Sequence, residues 1–180
     1  DSYNGKCNYQ ITTGVVGNFD TEGWGVIKYT NLTSTGEPGQ DVLWVDTDFP
    51  LFRLGDVYLM YAEAVARGGE GGHINTAVGY VNELRDRAYG ETPHNKIDAA
   101  WLTANNYQNI LDERGRELYW EGVRRIDLIR FGKYTSSSYT WPAKGGVITG
   151  VGVNERYNIF PIPISDISVN GSLEQNEGYK

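Results

Sequence analysis

Apolar and polar positions along this chain follow no single period. Across residues 1–48, short β-type pieces such as Val26-Ile27-Lys28-Tyr29 are cut by Gly5, Gly14, Gly17, Gly23, Gly25, Gly36 and Gly39, and Thr33 to Gln40 (TSTGEPGQ) reads as a loop. This predicts an irregular, loop-rich lead-in over 1–48 that issues from a missing N-terminal part, followed by a helical domain over 49–180. From Leu54 the spacing becomes helical, with Leu54, Val57, Tyr58, Tyr61, Ala62 and Val65 on one apolar stripe. Asp56 in the first turn suits the positive end of that helix. Glu63 and Arg67 are spaced as a surface pair, and the run Gly68-Gly69-Glu70-Gly71-Gly72 ends the helix. A second helix carries Ile74, Ala77, Val78, Val81, Leu84 and Ala88 on one face, with His73 or Asn75 as cap, Gly90 as stop and Pro93 beyond. With Ala62 and Ala77 permitting close approach, the two predict a helical hairpin of the TPR type. One hairpin cannot bury its own face, so other helical pairs are expected to stack on it.

A third helical stretch runs from about Asn106 to Phe131, anchored by Ile110, Leu111, Leu118, Ile126 and Ile129. Its charges alternate in sign, pairing Asp112 with Arg116, Glu121 with Arg125 and Asp127 with Arg130 by spacing. Because Glu117, Glu121, Arg124 and Asp127 interleave with Leu118, Tyr119, Trp120 and Ile126 on every face, some of these ions are expected to be half-buried and paired. Trp120, in the middle of this stretch, reads as core. Tyr134 to Asn154 reads as a long loop. In Ile159 to Ile167, Pro161 and Pro163 stand at alternate positions, which excludes a helix and suits an extended segment.

Charge narrows the partners. The chain of 180 residues carries a formal net charge of −7, which argues against nucleic acid, whose non-specific affinity rests on Lys and Arg. It argues equally against electrostatic docking on anionic lipid. A neutral ligand is compatible with it. No apolar run approaches membrane-spanning length and no signal segment opens the chain, so the targeting segment is expected upstream. The single cysteine, Cys7, excludes an internal disulfide framework, and with His73 and His94 it offers no usual metal constellation. Neither a metal nor another cofactor is expected. Glu113, Glu117 and Glu121 lie four apart, a spacing on which a paired-carboxylate glycosidase could be imagined. Each has an Arg within helical reach, which points to an ion network instead.

Three blocks resemble the SusD/RagB family. They are Asp48 to Ala64 (DFPLFRLGDVYLMYAEA), Leu111 to Gly132 (LDERGRELYWEGVRRIDLIRFG), and Phe160-Pro161-Ile162-Pro163 followed by Asn170 and Leu173 to Tyr179 (LEQNEGY). The resemblance runs from about Val26 to Lys180, in family order, and corresponds to the C-terminal third of much longer proteins. Gly55 and Gly115 stand where the family usually has Ala, Val123 for His, Ile126 for Trp and Glu177 for Pro; the two glycines should loosen their helices.

The resemblance implies a mainly α fold of TPR-like hairpins, with long irregular loops and little β. It implies non-catalytic capture of oligosaccharide or polysaccharide at the surface of a Bacteroidetes-type cell, for delivery to a SusC-like TonB-dependent transporter. It also implies a lipid anchor in the outer membrane, through a cysteine upstream of this chain. The competing expectation is a TPR-like protein–protein module without glycan affinity. For a sugar receptor, affinity comes from Tyr and Trp faces stacking on pyranose rings. The candidates with loop character are Tyr9, Trp24, Trp44, Tyr139 and Trp141. Trp44 could equally be core, given its alternation with Val42, and Trp24 could plug a junction.

Overall fold

The computed structural model describes residues 28–41, 44–141, 147 and 149–180. They are mainly helical: α1 spans Leu54–Ala66, α2 Ile74–Tyr89, α3 Ala99–Glu117, α4 Arg124–Arg130 and α5 Ile164–Val169, with short 3-10 turns at Pro93–Asn95 and Glu155–Asn158. Among the described residues, β structure is limited to isolated bridges joining Leu32 with Pro38 and Trp141 with Val151. Two compact units emerge, one from Asn31 to Asp127 and one that takes in Leu128 to Lys180.

In the first unit, α1 packs on α2 and α3 around Leu59, Ala62, Ala77, Val81, Leu84, Ile97, Leu102 and Ile110. The expected hairpin is present, and Ala62 and Ala77 are fully buried at its contact. Gly68, at φ +87, takes the left-handed position after α1. Gly68 N–H then donates to the Val65 carbonyl and Gly69 N–H to that of Ala64, satisfying the last turn. A Cβ on Gly69 would meet the Ala64 carbonyl at 2.8 Å, so the turn demands glycine twice. Tyr61 Oη accepts from His73 N–H and fixes the start of α2.

The inner face of α1 holds Tyr58, Tyr61, Ala62 and Val65 of the expected stripe, but not its first two members. Gly55, Leu59, Ala62 and Glu63 are buried, whereas Leu54 and Val57 are 59% and 48% exposed. The helix is apolar on both sides, so periodicity alone could not exclude Leu54 and Val57. In α2 the buried set is Ala77, Val81 and Leu84, with Val78 packed against the core, and His73 occupies the N-cap.

The third stretch is not one helix. α3 begins earlier than expected, at Ala99, where Asp98 caps it by accepting from Trp101 N–H. It is interrupted at once: Asn105, Asn106 and Tyr107 have φ of 52°, 53° and 63°, a left-handed turn clasped by Asn109, which donates to the Trp101 carbonyl. The stretch then breaks again between Glu117 and Arg124, where Trp120 and Gly122 take positive φ. Trp120 is therefore not core but 62% exposed, and Ile126 is exposed to the same degree.

Several charges of this stretch are buried or half-buried and paired, many with partners on other helices. Glu117 binds Arg53, the N-cap of α1, at 2.5 Å and Arg87 of α2 at 2.5 Å. Glu121 binds Arg53 at 2.7 Å, and Glu113 binds Arg85 of α2 at 2.8 Å. Arg114 reaches Asp56 of α1 at 2.8 Å and Asp127 of α4 at 2.9 Å. The hydrogen bond to Glu121 holds the Arg53 guanidinium more firmly charged than usual, with burial opposing. One line of charged residues thus ties α3 to three other helices.

In the second unit, α4 ends on Gly132 at φ +66, with Lys133 N–H donating to the Leu128 carbonyl. Residues 159–163 are extended, as expected, but α5 starts at Ile164, directly after Pro163. The prolines hold the approach extended, and nothing beyond Pro163 bars a helix. Gln175 donates to the Ile162 carbonyl and accepts from its N–H, both at 2.8 Å. Asn176 and Tyr179 donate to the carbonyls of Phe160 and Ile159.

Candidate functional site

Of the expected aromatic candidates, Tyr9 and Trp24 lie outside the described residues. Trp44 is 75% exposed, which decides between the surface and core readings. Its backbone is nonetheless fixed on both sides. Trp44 N–H donates to Asp41 Oδ1 at 3.1 Å, and its carbonyl accepts from Asn31 Nδ2 at 3.3 Å. Asn31 organises the whole loop: Nδ2 also donates to the Asp41 carbonyl at 2.7 Å, and Oδ1 accepts from Asp46 N–H at 3.0 Å. Gln40 N–H closes the ring on Asp46 Oδ2 at 2.8 Å. Gly39 passes so near that a Cβ there would overlap the Asn31 side-chain amide. A tight turn at Thr33–Glu37 precedes the loop, with Glu37 N–H donating to the Thr33 hydroxyl. The result is an exposed aromatic ring on a loop whose backbone is pinned by its own polar side chains.

Tyr139 and Trp141 are brought together, and Tyr134 joins them. Trp141 meets Tyr139 edge-on at 5.2 Å and Tyr134 edge-on at 5.9 Å, and its backbone N–H donates to the Val151 carbonyl. These rings are half-buried and spend much of their surface on one another. They belong to the second unit, whereas Trp44 belongs to the first.

Sequence reasoning missed Asn31, whose partners lie up to fifteen residues away and leave no periodic trace. The nearest signal was Gly39, a glycine where backbone and side chain approach closely. It also missed the exposure of Tyr119 and Trp120, which meet edge-on at 6.4 Å on the turn after α3.

Acid–base chemistry finds little to use. Glu113, Glu117 and Glu121 are each held by arginine, with side chains only 6–8% exposed. Among the described residues no group of His, Cys, Asp or Glu is arranged to hold a metal ion, and no helix is long and apolar enough to cross a membrane.

Comparison with known proteins agrees with the helical architecture. The family model of the SusD family matches residues 3–179. The starch-binding protein SusD of Bacteroides thetaiotaomicron is 42% identical over 171 residues, which is 95% of this chain and 28% of that protein. The SusD-like protein P25 of Formosa agariphila is 31% identical over 135 residues, covering 72% of this chain and 24% of that protein. A crystal structure of a SusD superfamily protein from Bacteroides vulgatus superposes with a TM-score of 0.54 at 27% identity, covering 81% of this chain and 31% of the other. The chain thus spans about a quarter of the length of the curated relatives it matches. With the family model covering nearly the whole chain and the helical order shared with a solved member, this chain belongs to the SusD family.

Proposed function

We propose that this chain is part of a non-catalytic receptor that captures oligosaccharide or polysaccharide nutrients and passes them to a SusC-like TonB-dependent transporter. SusD-family proteins are binding proteins and not enzymes. The reading places the receptor on the outer face of the outer membrane, anchored by lipid on an upstream cysteine. A relative named for starch binding supports the ligand class. The observation that carries the reading in this chain is Trp44, exposed while both its backbone groups are bound. A pyranose presents a flat C–H face that packs on an indole, and a ring carried on a pre-fixed backbone loses less freedom when the sugar arrives. Tyr139 and Trp141 supply a second, partly buried aromatic surface.

Titrating maltooligosaccharides while following tryptophan fluorescence tests this. Trp44→Ala should weaken binding about five- to tenfold, the size of one aromatic contact of about 1 kcal/mol or slightly more. An unchanged curve removes Trp44 from the site.

A second reading, a TPR-like protein–protein module without glycan affinity, is favoured by the outward face of α1, where Leu54, Val57 and Met60 are all about half exposed. Absence of affinity for any glycan in the same titration would select it.

A further inference from the structure

Asparagine followed by glycine occurs twice in the sequence, at Asn4-Gly5 and at Asn170-Gly171. Only the second pair lies among the described residues, in the turn between α5 and Gln175, and both of its members are exposed. Asn170 ends α5, its N–H donating to the Asp166 carbonyl at 3.0 Å, while its own carbonyl accepts from Leu173 N–H at 3.0 Å. The side chain is turned towards the residues that follow, since Oδ1 accepts from Ser172 N–H at 3.1 Å. Among the described residues no hydrogen bond holds the Gly171 N–H that lies between them. We infer that Asn170-Gly171 is a site of spontaneous modification, at which the side-chain amide is lost and the turn is rebuilt around an aspartate or isoaspartate.

The chemistry needs only water. The Gly171 backbone nitrogen gives up its proton and attacks Cγ of Asn170. A five-membered imide closes as the Cγ–Nδ2 bond breaks and the side-chain nitrogen leaves as ammonia. Water then opens the imide. Breaking its bond to Cγ leaves aspartate; breaking its bond to the original backbone carbonyl leaves isoaspartate, with one more methylene in the main chain. Three features favour the first step. Glycine has no Cβ to shield its nitrogen. The Ser172 N–H at Oδ1 polarises the carbon under attack and stabilises the charge that develops on that oxygen. The Gly171 N–H has no bond to give up among the described residues. Closure also needs the peptide after Asn170 to turn from its ψ of 93°, and the open space around Gly171 gives it room.

The consequence reaches the extended segment before α5. In isoaspartate the former side-chain carbonyl joins the main chain and the former main-chain carbonyl becomes a free carboxylate, so the acceptors of Ser172 and Leu173 exchange roles. Gln175, two residues beyond Leu173, then loses its place opposite Ile162, whose N–H and carbonyl it holds at 2.8 Å.

The test ages the 180-residue chain in mildly alkaline buffer beside a synthetic peptide of residues 168–173, and follows both by peptide mapping with mass spectrometry. The segment holding Asn170 should gain one dalton at a rate within about tenfold of the free peptide's, a factor that amounts to about 1.4 kcal/mol of barrier. Mildly acidic buffer should slow the gain, because the attacking nitrogen must first lose a proton. Gly171→Ala should slow it about tenfold. That variant keeps the fold, since the added Cβ meets nothing within 4 Å and Gly171 does not take positive φ. The modified chain, separated by its additional negative charge, should exchange the Ile162 amide faster than the unaged chain. Asn170 still intact when the peptide has fully converted overturns the inference, and so does Gly171→Ala ageing as fast as the parent. An Ile162 amide unchanged in chain that carries isoaspartate overturns the link to Gln175 while leaving the modification in place.

Discussion

Asn31 carries more of the candidate site than any residue the sequence brought forward. Its one amide joins Asp41, Trp44 and Asp46, so removing it should free the ring without removing the ring. Asn31→Ala should therefore weaken glycan binding about as much as Trp44→Ala, although Trp44 remains, with near-normal far-UV circular dichroism. The two candidates could be told apart in the sequence only in part: an aromatic between polar loop residues is visible, but a hydrogen-bond hub with partners ten to fifteen residues away is not. Trp120 failed for a related reason. Its neighbours continue a helical pattern, and only the left-handed backbone at Trp120 and Gly122 turns it outward. Arg114 is the opposite case, a charge correctly expected to be paired. With side-chain exposure of 5%, it serves Asp56 and an Asp127 exposed by only 3%. Arg114→Ala should lower stability by about 3–5 kcal/mol because it takes the guanidinium away from a buried carboxylate. Arg116→Ala, at a half-exposed side chain whose partner Glu113 is also held by Arg85, should cost about 1 kcal/mol or less. Urea denaturation of the two variants measures the contrast.

At the level of elements, the hairpin and its stop were legible because the glycines after α1 and the small residues at its contact each have one local meaning. The interior of α3 was not. Three consecutive left-handed residues at Asn105–Tyr107 redirect the helix, and Arg67 stacks on the Tyr107 ring at 4.6 Å to hold the turn from the side of α1. Asparagine tolerates this conformation better than most residues, but two adjacent asparagines in a helical pattern give no warning of it. Asn106→Ala should cost about 1 kcal/mol, whereas Asn106→Gly should be close to neutral. A shift of the urea midpoint for alanine alone identifies backbone strain as the cause; equal shifts would instead implicate the lost side chain.

For the molecule as a whole, one consequence follows from α1 being apolar on both sides. The inner side is covered by α2 and α3, while Leu54, Val57 and Met60 face outward together with Leu51 and Phe52 just before the helix, which are 81% and 88% exposed. The isolated chain should bind a hydrophobic dye such as ANS in its folded state. Val57→Lys/Met60→Lys should reduce that signal by about half and raise solubility without lowering the melting temperature. Dye binding that appears only on unfolding would contradict the exposed face. The fold class was readable from three motif blocks, and so was the inward course of Tyr58, Tyr61, Ala62 and Val65; that Leu54 and Val57 fall outside it depends on where the other helices pack.

The tail offers a different lesson. Pro161 and Pro163 have no N–H to give, so Ile162 is the sole backbone donor among the three, and Gln175 occupies both of its backbone groups as a neighbouring strand would. Asn176 and Tyr179 continue the same imitation along Phe160 and Ile159. Each rung of this ladder is made by one side chain, and none by a helix backbone. Losing the side chain of Gln175, Asn176 or Tyr179 would leave the carbonyl of Ile162, Phe160 or Ile159 to water. The extended course of residues 159–162 is therefore held by three side chains and by no helix.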